Sequence, residues 1–154
     1  MSTIEESIDV QVPVRTAYNQ WTQFEEFPKF MEGVKTVQQL DDVTLHWTAE
    51  IAGQERDWEA KITEQIPDER IAWTSTSGTG NAGVVTFHKI DPNTTRVMLQ
   101  LEIYPEDFKE KVGDWLQIPR ARVKGDLHRF KEFIEHRGTE TGAWRGEVEQ
   151  TKTT

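Results

Sequence analysis

Between Val34 and Tyr104 the chain alternates apolar and polar residues with a period of two, and turn residues interrupt the alternation at short intervals. That period belongs to β-strands with one buried face. The interruptions predict strands at Val34–Leu40, Thr44–Ile51, Gln54–Ile66, Ile71–Ser77, Gly83–Ile90 and Arg96–Tyr104. Asp41-Asp42, Gly53, Pro67-Asp68-Glu69 and Asp91-Pro92-Asn93 supply the turns. Such connections are too short for crossover helices, so the strands form an antiparallel meander. Its inward face carries Leu45, Trp47, Ala49 and Ile51; Trp58, Ala60 and Ile62; Ile71, Trp73 and Ser75; Val85 and Phe87; and Val97, Leu99, Leu101 and Ile103.

The flanks have other periods. Residues 3–12 alternate, with Ile4, Ile8, Val10 and Val12 on one face, and read as a further half-buried strand. Pro13 stops it and pre-sets a helix start, after which Val14, Tyr18 and Trp21 follow helical spacing to about Gln23. Pro28 forbids one continuous helix through Phe24–Met31, which reads as a short second helix or turn. Pro105-Glu106-Asp107 ends the sheet, and Asp107 with Glu110 resembles a capping box. Val112, Trp115, Leu116, Pro119, Val123, Leu127, Phe130 and Ile134 then recur in three- and four-residue steps, predicting a long amphipathic helix. Pro119 is expected to kink or split it. The expected organisation is one α+β domain over 1–137 and a polar tail over 138–154 whose last residues are disordered.

Composition narrows the function. Mean hydropathy is −0.70 and only 35% of residues are hydrophobic, yet six Trp, seven Phe and two Tyr furnish enough contact area for a core or a cavity wall. A chain of 154 residues buries roughly 70% of its unfolded surface as one domain. The absence of cysteine excludes disulfides and thiolate metal sites. No apolar run approaches the roughly 18 residues of a membrane span, and Met1–Glu6 lacks the features of a signal peptide, so the expected location is the cytoplasm. Residues 1–69 hold 15 acidic and 5 basic side chains, against 12 and 13 in residues 70–154. A phosphate backbone would be repelled by the first half, so nucleic acid is not an expected partner.

Few residues offer chemistry. Gly78-Thr-Gly80-Asn-Ala-Gly83 has the spacing of a dinucleotide loop, but a strand pattern follows it where that loop requires a helix. His46, His88, His128 and His136 have no metal-ligand spacing and are expected at the surface. No metal site and no cofactor is expected. Two polar residues fall on inward positions. Glu6 is in register with Ile4 and Ile8, where burial would raise a carboxyl pKa and suit a general acid or base. Ser75, in register with Trp73, would orient a ligand or mark a wet strand end.

The order of strand, short helices, six-strand meander and long helix is a helix-grip arrangement: a curved seven-stranded antiparallel sheet wrapped around a C-terminal helix. Several segments go further: Val12–Trp21 with Phe24–Phe30, Thr63–Trp73, Gly83–Phe87, Thr95–Val97, Asp126–Glu135 and Thr141–Gly146. In these the chain resembles bacterial polyketide cyclase/dehydrase-type members of the START-like (SRPBCC) superfamily. The resemblance implies a cavity between sheet and helix for a lipid, polyketide, quinone or other small hydrophobic molecule. Its sheet wall would be Trp47, Trp58, Trp73, Ser75, Phe87 and Leu101, and its helix wall Leu116, Val123 and Leu127. Pro119 would bound a movable lid over 108–118. A binder or carrier without turnover is the leading expectation. The alternatives are an aromatase/cyclase-dehydrase type enzyme using Glu6 and a protein-interaction module with a filled core. Trp144 and Arg145 are expected to dock the tail on its own domain or on a protein partner.

Overall fold

The computed structural model describes residues 2–31, 33–51, 54–76, 81–103, 117–146 and 148. Its strands are β1 (Ser2–Val10), β2 (Val34–Gln39), β3 (Thr44–Ile51), β4 (Gln54–Ile66), β5 (Arg70–Ser75), β6 (Asn81–Asp91) and β7 (Thr94–Ile103). They form one curled antiparallel sheet in the order β1-β7-β6-β5-β4-β3-β2, a meander closed on one side by the N-terminal strand. β3 and β4 have the bounds that alternation predicts, and the other strands shift by one or two residues at their ends. Two turns are closed by carboxylates: Asp41 accepts from the Val43 N–H at 2.9 Å, and Asp91 from the Asn93 N–H at 2.8 Å.

Strict alternation fails in β4. Pairing with β5 slips between Ile62 and Glu64, and the extra residue turns Gln65 inward opposite Ile71. Gln65 is 1% exposed, where an unbroken period of two would have buried Glu64 instead. A bulge leaves no mark in the apolar pattern of so short a strand end.

Among the described residues, three helical segments cover the concave face: α1 (Val14–Trp21), a 3-10 helix at Phe24–Lys29 and α2 (Gln117–Arg137). Their aromatic residues meet the sheet and one another in edge-to-face contacts, with Tyr18–Phe87 centroids 5.4 Å apart, Trp21–Phe130 4.9 Å and Phe30–Phe130 5.3 Å. α2 is tied across the sheet from side to side. Arg122 donates to the Glu50 carbonyl on β3, and Arg129 to the Phe30 carbonyl. Toward β1, Lys131 donates to the Asp9 carbonyl and Glu135 accepts from the Gln11 N–H at 2.7 Å.

Pro119 does not interrupt this helix. The described helix Gln117–Arg137 is continuous through it, and the residues before Gln117 lie outside the described ones. The capping residues Asp107 and Glu110 lie outside the described residues, as does almost all of the expected lid at 108–118. At the other end, Gly138 takes φ +75°, the left-handed conformation that ends helices, and its N–H donates to the Ile134 carbonyl at 2.9 Å.

That turn sends the tail back over α1 as a strap. Glu140 accepts from Asn19 Nδ2 at 2.7 Å, and Thr141 exchanges two hydrogen bonds with the Gln20 amide at 2.8 and 3.0 Å. The Trp144 N–H donates to the Thr22 hydroxyl at 3.1 Å. Arg145 binds Asn19 Oδ1, pairs with Asp68 at 2.8 Å and lies over the Tyr18 ring. Val148 then bridges to Gln65 on β4 through two backbone hydrogen bonds. Asn19, Gln20 and Thr22 are consequently buried although they face away from the apolar core. Of the two sequence expectations for Trp144 and Arg145, docking on their own domain is what the fold contains.

Candidate ligand-binding site

The inward face of the sheet is best followed along rows that cross the strands. One row runs Gln65, Ile71, Val85, Leu99 and Glu6. The next runs Ile62, Trp73, Gly83, Leu101 and Ile4, and beyond it lie Leu45, Ala60 and Ser75, then Trp47 and Trp58. Near α1 the rows are closed: Ile71 and Val85 are fully buried, and Phe87 in the following row is enclosed by Tyr18 and Trp21. Toward Ser75 the face opens. Trp47, Trp73, Ser75 and Leu101 are half-buried although they point inward.

The apolar contacts divide at the same place. A small buried cluster of Ala49, Trp58 and Ala60 stands apart from the main core, and Trp47, Trp73 and Val34 touch both. Trp47 and Trp58, directly opposed on β3 and β4, stack with centroids 5.9 Å apart and planes 5° from parallel. The Trp47 Nε1 is enclosed without a hydrogen-bond acceptor, an arrangement that costs about 1–3 kcal/mol.

The structure therefore gathers Trp47, Trp58, Trp73, Ser75 and Leu101 on one wall. It assigns Phe87 to the filled core instead, and Leu127, only 2% exposed in the main cluster, goes with it. Val123 belongs to that cluster too, and Leu116 lies outside the described residues. Glu6 does occupy an inward row, but on the edge strand β1, where it is half-buried opposite Leu99. Three strand spacings separate it from Ser75, roughly 14 Å across the sheet, with four residues of offset along the strands. The two polar groups cannot act on one bond.

Other sequence candidates take surface positions. His88, His128 and His136 are exposed, and His46 is partly exposed, 4.0 Å from Glu59. Gly78–Gly80 lie outside the described residues, and β6 follows them as a strand. A separate open groove of about 460 Å³ lies between the 3-10 helix, the β2–β3 turn and the strap. Glu25, Glu26, Asp41 and Asp42 rim it beside Phe24 and Trp144, which makes it a polar, acidic surface rather than an apolar cavity.

Residues 10–135 match the family model described as polyketide cyclase/dehydrase and lipid transport. The chain belongs to that family. Within the polyketide cyclase/dehydrase and lipid transport family it is similar to an uncharacterised 17.2 kDa protein of Streptomyces lincolnensis, 56% identical over 96% of this chain and 99% of the other. An aromatase/cyclase from a Streptomyces species shares its fold, with a TM-score of 0.75, 13% identity and coverage of 93% of this chain and 99% of that one. So does a START superfamily protein from Mycobacterium smegmatis, with a TM-score of 0.64, 16% identity and coverage of 82% and 97%. The curled sheet with its C-terminal helix is a helix-grip fold, shared with that START superfamily protein. Membership supports a hydrophobic-ligand-binding or cyclase-type role.

Proposed function

We propose that this protein binds or carries a small hydrophobic molecule, of lipid, polyketide or quinone class, against the half-filled end of the concave face. One observation carries the reading: Trp47, Trp73 and Leu101 point inward yet remain half-buried, while neighbouring rows are closed by α1 and α2. Apolar surface left uncovered on an inward face is a standing free-energy gain for any apolar ligand of matching shape.

Among the described residues, the candidate acid–base groups on this face, Glu6 and Ser75, stand far apart, which favours binding without turnover over a cyclase. General acid–base work needs groups within hydrogen-bond reach of one reacting centre. Glu6 and Ser75 are not so placed. The interaction-module reading is disfavoured because Arg145, its most direct anchor, is engaged with Asn19, Asp68 and Tyr18. Among the described residues no helix is long and apolar enough to cross a membrane.

Native mass spectrometry of the protein purified from its own host, followed by extraction of the bound species, is the test. A stoichiometric hydrophobic adduct is expected. An empty protein that also ignores lipid, quinone and polyketide panels would sink the proposal.

A further inference from the structure

A glycine in the interior of a strand forfeits side-chain packing and adds backbone entropy to be lost on folding, so its presence asks for a local reason. Gly83 lies within β6, paired on one side with Trp73 of β5 and on the other with Leu101 of β7. Its φ is not in the left-handed region, so conformation is not the reason. Space is. A Cβ at position 83 would stand 2.6 Å from Trp73 Cζ2 and 3.0 Å from Cε2, with the Gln100 carbonyl oxygen at 3.1 Å. The six-membered part of the Trp73 indole thus occupies the volume that any side chain at 83 would claim.

Directly opposed residues of antiparallel strands point to the same face. A side chain at 83 would therefore project onto the concave face and lift the indole off the sheet. Trp73 is half-buried, so room for that displacement lies on its inner side. From this we infer that Gly83 is a specificity-determining residue: by having no side chain it lets Trp73 lie down across β6, and the lowered indole forms the floor on which the ligand rests. The inference builds on the proposed binding function and adds what sets the depth of the site. Any substitution at 83 raises the floor, and bulk at this position selects against thick ligands before thin ones.

The neutral fluorophore N-phenyl-1-naphthylamine serves as the probe, with the protein carrying 5-fluorotryptophan for fluorine NMR. Of the six Trp signals, that of Trp73 is assigned by its loss in Trp73→Phe. Gly83→Ala is expected to move the Trp73 signal without ligand and to weaken probe binding by about tenfold or more, as overpacking by one methyl implies. Because misfolding of Gly83→Ala would mimic the effect, it is combined with Trp73→Phe, whose ring is too short to meet the new methyl. The double variant is expected to bind within about threefold of Trp73→Phe alone, since the clash is gone. A Trp73 signal unmoved by Gly83→Ala, or a double variant that binds well over threefold more weakly than Trp73→Phe alone, overturns the inference while leaving ligand binding intact. Wild-type protein that binds neither the probe nor any panel molecule, with the Trp73 signal still displaced by Gly83→Ala, removes the binding function and the floor with it.

Discussion

The two ends of the concave face are built from the same kinds of residue and end in different states. At one end Tyr18, Trp21, Phe27, Phe30, Phe87 and Phe130 lock edge to face, each 5% exposed or less. At the other, Trp47, Trp73 and Leu101 sit on the same sheet, equally apolar, and stay half-buried. The difference is in what lies above them. α1 and the 3-10 helix bring aromatic partners to the first end, and the strap covers their outer side; at the second end, among the described residues, the 3-10 helix reaches Trp47 alone, through Phe27 with centroids 5.6 Å apart. An aromatic side chain is thus core or wall according to the element facing it, and composition alone does not separate the two.

The sharpest way to test this division is to delete one large ring from each end. Trp21→Ala removes a side chain in contact with four others and should cost about 3–5 kcal/mol in urea unfolding, at the limit of what the fold tolerates. Trp73→Ala should cost markedly less stability but abolish most probe binding. Were the stability losses equal, the ends would not differ as described. Arg145→Ala comes next, because it strands the buried Asn19 carbonyl and breaks the pair with Asp68; a loss of about 1–3 kcal/mol is expected, with ligand affinity unchanged in the folded protein. A matching drop in affinity would mean that the strap serves the open end as well.

A smaller effect concerns pH. Burial pushes the Glu140 carboxyl up, but hydrogen bonds from Asn19, its own backbone N–H and Thr139 outweigh it and hold the group below its ordinary value. A carboxyl depressed in the folded state contributes its stabilisation above the unfolded value and loses it as pH falls toward the folded one. Strap docking should therefore weaken once the pH drops past about 4.5, seen as faster hydrogen exchange at the Trp144 amide before the sheet amides respond. Glu140→Gln should flatten that step. The smallest change is expected from Glu6→Gln, within about 0.5 kcal/mol in stability and without effect on affinity. A turnover that vanishes in this variant while binding persists would restore the enzyme reading.

Much of this architecture was legible in the residues. Alternation marks β3 and β4 to their last residues because both faces are sampled over long runs and both ends carry turn signals. The inward set around Trp47, Trp58, Trp73 and Leu101 follows from the same period. Phe87, expected on the cavity wall, packs in the main core beneath Tyr18 and Trp21, since periodicity reports which face a residue takes, not which helix arrives over it. The bulge that buries Gln65 escaped because one extra residue inverts the faces without altering composition. A break is expected at Pro119, yet the described helix Gln117–Arg137 runs through it, because the apolar pattern does not report how a backbone accommodates a proline. Burial of Asn19 and Gln20 had no signal in α1 itself. The only hint was distant, in the Trp and Arg of an otherwise polar tail.

The strap has a consequence for how the chain is made. A ribosome releases residues in order, and domains generally form as their parts emerge. Here α1 appears among the first segments, yet the hydrogen-bond partners of Asn19 and Gln20 are 121 residues further along. β1 likewise awaits β7, since Glu5 and Gln100 are 95 residues apart. Until Glu140–Arg145 has been translated, the growing chain carries a helix whose polar outer side is wetted by water rather than closed by protein. Completion is thus a late event in synthesis, and a nascent chain stalled before that point would hold its sheet and its aromatic core without the clasp that fastens them.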